Sequence, residues 1–183
     1  MKELALHILD IAENSVNADA DNILIDIKED TKNNDLEITI EDDGKGIKKD
    51  QLKDITDPFV TSRKTRPVGL GLSLFKAAAK RCDGNFLIDS NQNGTIVKAK
   101  FKHDHIDRAP LGNIAQTVIS ILLWDSNVDL TYKHRYNTEQ FIFETQKIKE
   151  ELGNVKITDS KILNWLKEYI DENVKEIRGG EFN

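Results

Sequence analysis

Asp10 and Asn14 lie four residues apart in the stretch DIAENSVNADA (10–20), a spacing that puts two side chains on one face of a helix. An amide oxygen is a hard ligand suited to Mg²⁺, which keeps several waters and binds phosphate oxygens as well. A carboxylate one turn away could orient or deprotonate a water beside a terminal phosphate. A second stretch, EDDGKGI (41–47), places Asp42 at the exit of a β-rich run and follows it with Gly44 and Gly46. Such a carboxylate can accept a hydrogen bond from the exocyclic amine of adenine, and the glycines let the backbone turn sharply against a flat ring. In a third stretch, DPFVTSRKTRPVGLGLS (57–73), a basic loop runs into Gly69, Leu70, Gly71 and Leu72, where a helix begins. Helix N-termini present free N–H groups and a positive dipole end, which favour phosphate. Lys64 or Arg63, just upstream, could add charge to the phosphates. Thr95, after a glycine at the opening of a strand, could bond a base or a water beside it.

Each piece has an ordinary structural reading when taken alone. These are a solvated helix face, an acidic β-turn, a plain loop-to-helix junction and a β-branched strand residue. Taken together they read as an ATP site.

The elements that must position these groups follow from periodicity. Residues 3–17 carry Leu4, Ile8, Ile11, Ala12 and Ser15–Val16 at helical spacing, with His7, Asp10, Asn14 and Asn17 on another face. NILIDIK (22–28) and LEITIED (36–42) form a hairpin across DTKNND. A short helix is expected at about 48–54, and an irregular segment at 55–68 bounded by Pro58 and Pro67. A helix then starts near Gly69 and is stopped by Gly84 in the C′ manner. FLIDS (86–90) and TIVKAKF (95–101) are two further strands. The order predicts helices on one face of a mixed sheet. After HDHIDRAP (103–110) come a helix at 111–124, a hairpin turning near Asn137, and a helix at 159–176 capped by Thr158 or Asp159.

The chain has 183 residues, 38% hydrophobic and 32% charged, with net charge −6. That balance disfavours nucleic-acid or anionic-membrane binding, which wants a basic face. Positive charge is instead concentrated locally at Arg63, Lys64 and Arg66. Cys82 is the single cysteine, so no intrachain disulfide or CxxC metal site exists. No signal-peptide layout opens the sequence, and VISILLW (118–124) is too short to span a bilayer. A soluble cytoplasmic protein is expected. His103, Asp104 and His105 read as a solvated linker rather than a metal cluster. His7 reads as a pocket-rim or locally packed residue, Cys82 as a buried small one, and Trp124 and Trp165 as core or interface anchors.

The ordered set resembles the ATP-binding domain shared by the gyrase B subunit, Hsp90, histidine kinases and MutL, the Bergerat or GHKL fold. DIAENSVNADA looks like its asparagine box, with Asn14 at the Mg²⁺ position. EDDGKGI looks like the first glycine box, with Asp42 at the adenine-reading position. DPFVTSRKT is similar to the phenylalanine segment and lid, VGLGLSLFKAAAKRCDGN to the second glycine box, and GTIVKAKF to the final box with Thr95. The resemblance covers residues 1–102. It implies a two-layer α/β sandwich with a mixed sheet (1–102), carrying a C-terminal α/β extension (103–183). ATP and Mg²⁺ are the implied cofactors. Hydrolysing members carry a glutamate four residues before the asparagine, and Asp10 stands there instead. Glu13 does not share the Asn14 face. The ATP-binding stretch starts at Met1, so a phosphoacceptor-histidine helix pair is expected to be missing. Residues past 103 also resemble small stand-alone ATP-binding proteins of anaerobic bacteria, found near iron hydrogenase genes.

The leading expectation is a Mg·ATP-binding regulatory protein whose lid answers to nucleotide and meets a protein partner, with slow or no hydrolysis through Asp10. The alternatives are a protein serine/threonine kinase resembling anti-sigma factors, and a non-catalytic scaffold.

Overall fold

The computed structural model describes residues 2–47, 52 and 70–180. Strand alternation decides the architecture. In β1 (Asn22–Asp30) Ile23, Ile25 and Ile27 are buried, and in β2 (Asp35–Asp42) so are Leu36, Ile38 and Ile40. A period of two sends each set to one face of the sheet. β3 (Asn85–Asn91) and β4 (Gly94–Lys102) continue the pattern, β4 through Val97, Ala99 and Phe101. β5 (Asp129–Tyr136) and β6 (Glu139–Glu144) add Leu130, Tyr132, Phe141 and Phe143.

The six strands form one sheet in the order β3-β4-β2-β1-β5-β6. Neighbours are antiparallel except β1 and β5, which run parallel with Ile25 opposite Tyr132. The sheet is therefore mixed, and the C-terminal part extends it beyond β1. On the opposite face, charge alternates across strands: Arg135 pairs with Asp26, Lys28 with Glu37, and Lys100 with Glu37 and Asp35.

The helices cover the apolar face. α1 (Leu4–Asn17) buries Leu4, Ile8, Ile11 and Ala12. Its N-cap, Glu3, makes no side-chain cap; the Leu4 and Ala5 amides donate instead to the carbonyls of Pro110 and Leu111, at 2.9 and 2.8 Å. α2 (Gly71–Arg81) buries Leu72, Phe75 and Ala79. In α3 (Ile114–Trp124), Asn113 caps the start by accepting from the Gln116 amide at 2.8 Å. α4 (Thr145–Leu152) follows β6 directly. α5 (Ser160–Ile177) is capped by Asp159, one of the two expected residues, which accepts from the Lys161 amide at 2.9 Å.

One expectation is corrected. The end of α2 turns at Asp83, which holds φ of 54°, and not at Gly84. The Gly84 amide closes the turn onto the Ala79 carbonyl at 3.0 Å. Gly84 is needed for a different reason, since a Cβ there would lie 1.7 Å from the Lys100 carbonyl oxygen. His7, expected at the pocket rim or packed locally, is packed locally. It is 3% exposed and stacks on Phe75 with ring centroids 5.1 Å apart. The helix at 48–54 and the segment 55–68 lie outside the described residues, apart from Leu52.

Candidate functional site

β2 and β4 set the floor. Their register puts Asp42 opposite Thr95, so both residues reach the same end of the sheet. α1 crosses above with Asn14 and Ser15. Asn14, Ser15, Asp42, Leu72, Thr95 and Ile47 line one pocket. Asn14, Asp42, Leu72 and Thr95, all expected from sequence, are thus brought together from α1, β2, α2 and β4.

Asp42 is fixed through both oxygens. The Ser15 hydroxyl donates to Oδ2 at 2.6 Å, and the Gly44 amide donates to Oδ1 at 3.1 Å. Ser15 is 2% exposed and lies on the apolar stripe of α1. The neighbouring carboxylate serves the backbone instead. Asp43 accepts from the Asp21 and Asn22 amides at 2.9 and 2.8 Å and ties the strand exit to the start of β1. The acidic pair therefore divides into one pocket group and one structural clamp.

The glycines are close-approach positions. A Cβ on Gly44 would lie 2.7 Å from the Ala18 carbonyl oxygen. Gly46 holds φ of 67°, and a Cβ there would lie 1.9 Å from the Asn91 carbonyl oxygen. Around them Ser90 works as a hub: its hydroxyl accepts from the Ile47 amide at 2.8 Å and meets the Thr95 hydroxyl at 2.8 Å. Thr95 is 8% exposed, so the exchange is shielded from water.

Asp10 stands at the other end of the site, against the first residue of α2. A Cβ on Gly71 would come within 2.9 Å of the Asp10 Cβ and 3.2 Å of its Oδ2. The Asp10 carboxylate thus lies where the free amides of α2 begin. Burial, reinforced by the Glu13 carboxylate, pushes the Asp10 pKa up. Leu70, just before the helix, is half exposed, and Leu72 is buried in the pocket wall. Lys64 and Gly69 lie outside the described residues. The part of the pocket that these described residues line encloses about 30 Å³.

Asn14, the residue expected to offer a hard oxygen to Mg²⁺, stands one turn from Asp10 on α1. Among the described residues no group of three or more His, Cys, Asp or Glu side chains could hold a metal. An amide oxygen with a carboxylate one turn away would suit Mg²⁺, which takes few protein ligands and completes its shell with water and phosphate. The demoted candidates are accounted for elsewhere. His103 bonds Glu29, Asp104 accepts from the Asn34 side chain at 2.7 Å, and His105 faces Asp83 at 3.6 Å. Burial lowers the His7 pKa to about 4, which keeps its ring neutral near pH 7.

Ser15 and Ser90 escape the sequence reading. Their one local signal is a hydroxyl where an apolar or strand residue would serve; the partners lie 27 and 43 residues away.

The family model for histidine kinase-, DNA gyrase B- and HSP90-like ATPases matches residues 2–105. The chain belongs to this family. Among solved structures it is similar to the N-terminal domain of a DNA repair protein (11% identity, TM-score 0.51), covering 86% of this chain and 59% of that one. It therefore spans about three-fifths of that relative's length. The MutL ATPase domain of Aquifex aeolicus, complexed with ADP, matches over 100% of this chain and 71% of its own, at 11% identity and TM-score 0.49. The catalytic domain of the histidine kinase ThkA matches over 56% of this chain and 67% of its own, at 20% identity and TM-score 0.39. No curated protein matches in sequence. Among the described residues no helix is long and apolar enough to cross a membrane.

Proposed function

We propose that this protein is a Mg·ATP-binding regulatory switch. The observation that carries the reading is the convergence of Asn14, Asp42 and Thr95 on one pocket, with Asp42 held at both oxygens. The free lone pairs of Asp42 accept the adenine amine. Thr95 and the Ser90 hub bond the base edge or a water beside it. Asn14 holds Mg²⁺ against the phosphates, which lie toward Gly69 and Gly71 at the start of α2, with Lys64 adding charge. ADP bound to the MutL ATPase domain is in keeping with a purine nucleotide here.

Positive charge at Arg63, Lys64 and Arg66 suits the 55–68 stretch to a nucleotide-responsive lid, which a protein partner senses. Hydrolysis is slow or absent, because aspartate is one methylene shorter than the glutamate of hydrolysing relatives. The protein works in the cytoplasm, with residues 1–102 as the nucleotide unit and 103–183 as its extension.

Isothermal titration with ATP and Mg²⁺ tests the reading. Heat of binding, lost in Asp42→Asn, is the expected result; no heat, with no competition by ADP, overturns it. Radiolabelled ATP incubated with the proteins that co-purify separates a switch from a protein kinase, because only the kinase labels a partner.

A further inference from the structure

Glu29, near the end of β1, has a side chain only 1% exposed, yet three cationic or titratable groups converge on it. His134 of β5 meets Oε1 through Nε2 at 2.7 Å, and His103 meets Oε2 at 3.1 Å. Arg178, the residue that ends α5, donates from Nε to Oε1 at 2.8 Å and from Nη2 to Oε2 at 2.6 Å. This two-pronged geometry is the strongest form of a carboxylate pair. His134 passes the contact on, its Nδ1 lying 2.6 Å from the Tyr132 hydroxyl. One buried carboxylate thus gathers the linker after β4, strand β5 and the end of the last helix.

The rest of that helix end is packed less deeply, with Val174 and Ile177 partly buried against the core. The fully buried residues of α5 are Leu163, Leu166 and Ile170, all in the half that ends at Ile170. Beyond Ile170 the helix borders a cleft of about 500 Å³, lined by Glu3, Gly112, Asn113, Val174 and Arg178 among others. Apolar burial is the main term that holds helices to a core. Where that burial thins, Arg178 adds the fork to Glu29 and lies 5.8 Å from the Tyr136 ring centroid. The segment across the cleft is also the one that caps α1: Pro110 and Leu111 take the Leu4 and Ala5 amides, and the Thr117 hydroxyl donates to the Ala5 carbonyl at 3.4 Å.

We propose that Arg178 and Glu29 form a latch whose release lets the second half of α5 and the 110–117 segment open as one unit, freeing the start of α1 while β1, β2 and β4 stay folded. Cooperative local openings of this kind are a general property of folded chains. The latch needs no nucleotide to operate, but α1 carries Asp10 and Asn14, so its release reaches the helix that serves the pocket.

Native-state hydrogen exchange on the full chain, read at single amides, tests this in wild type, Arg178→Gln and Arg178→Lys. In Arg178→Gln the amides of 171–177 and those of Leu4 and Ala5 are expected to exchange at least tenfold faster, with Ile25, Ile38 and Val97 unchanged. Arg178→Lys, which keeps the charge and loses the fork, should fall between. Unchanged exchange overturns the proposal, as does a uniform rise across the chain. Leu4 and Ala5 staying protected while α5 opens also overturns it. Should Arg178→Gln fail to fold, wild type in low denaturant decides. An opening of 171–177 together with Leu4 and Ala5, at lower denaturant than the sheet, supports the latch; exchange of all of them only through global unfolding overturns it.

Discussion

The Ser15 hydroxyl lies 2.6 Å from Oδ2 of Asp42, joining the helix that carries Asn14 to the strand that carries the carboxylate proposed to read the base. The contact orients the acid before any ligand arrives. Removing it should cost affinity and leave the fold intact. A hydrogen bond to a charged group contributes about 1.5–3 kcal/mol net, so Ser15→Ala should weaken ATP binding by roughly 10- to 100-fold on that scale. Titration calorimetry beside a thermal melt checks both halves. Unchanged affinity in Ser15→Ala would show that Gly44 alone fixes Asp42.

Asp10 is predicted to govern turnover rather than binding. Asp10→Asn should bind ATP as wild type does and release no phosphate. Because burial and Glu13 raise its pKa, the carboxylate becomes an available base only at higher pH than an ordinary aspartate, and any hydrolysis should rise with pH through that shifted range. The sign for stability is opposite to that of a salt-bridged acid. A raised folded pKa means ionisation weakens the fold as pH climbs past the unfolded value. Asp10→Asn should therefore melt slightly higher than wild type at pH 7 and no higher at pH 3.

Gly71 packs directly on Asp10. An added methyl must displace the acid or separate α1 from α2. Gly71→Ala is expected to lose about 1–3 kcal/mol of stability as an overpacked contact, with a larger proportional loss of nucleotide affinity. Denaturant melts and ATP titration measure the two effects. Equal affinity in the variant would place the phosphates elsewhere.

Glu29→Gln should be the most damaging of these changes, since removing one partner of a buried ion pair costs about 3–5 kcal/mol. Burial alone would push this carboxyl up. The bonds from His134 and Arg178, with the charge of Arg178, outweigh that and hold it well below the usual carboxylate range. A depressed folded pKa gives stability that is present above the unfolded value and lost as pH falls beneath it. The gap between wild type and Glu29→Gln should thus be full at pH 7 and shrink steadily below about pH 4.3, the ordinary glutamate value. Melting curves across that range test it; a gap independent of pH would remove the charge from the explanation.

The sequence shows the sheet's inner face plainly. Ile23, Ile25 and Ile27, or Leu36, Ile38 and Ile40, alternate because one side is covered and the other is wet. Asn14, Asp42 and Thr95 are recognisable through the order of the stretches that hold them. Ser15 is hidden, because a serine in an apolar stripe says nothing about a partner across the fold. α4 is hidden for another reason: TQKIKEEL offers a short apolar face of Ile148 and Leu152, both partly buried, and Lys149 anchors it by donating to the Asn127 and Val128 carbonyls and to Asp129. His7 is legible as a locally packed residue, but its partner Phe75, in another helix, is not. Strand order is likewise invisible locally, since nothing within 129–136 announces that its neighbour is β1.

That neighbour relation has a further consequence. β5 covers the β1 edge along its length, from Asn22 beside Asp129 to Glu29 beside Tyr136. A chain ended after Lys102 would leave the central isoleucine strand with a raw row of backbone donors and acceptors. Such an edge invites pairing with other chains, so the shortened protein should precipitate or self-associate where the whole one does not. The residues that follow Lys102 thus shield the strand that would otherwise seed aggregation.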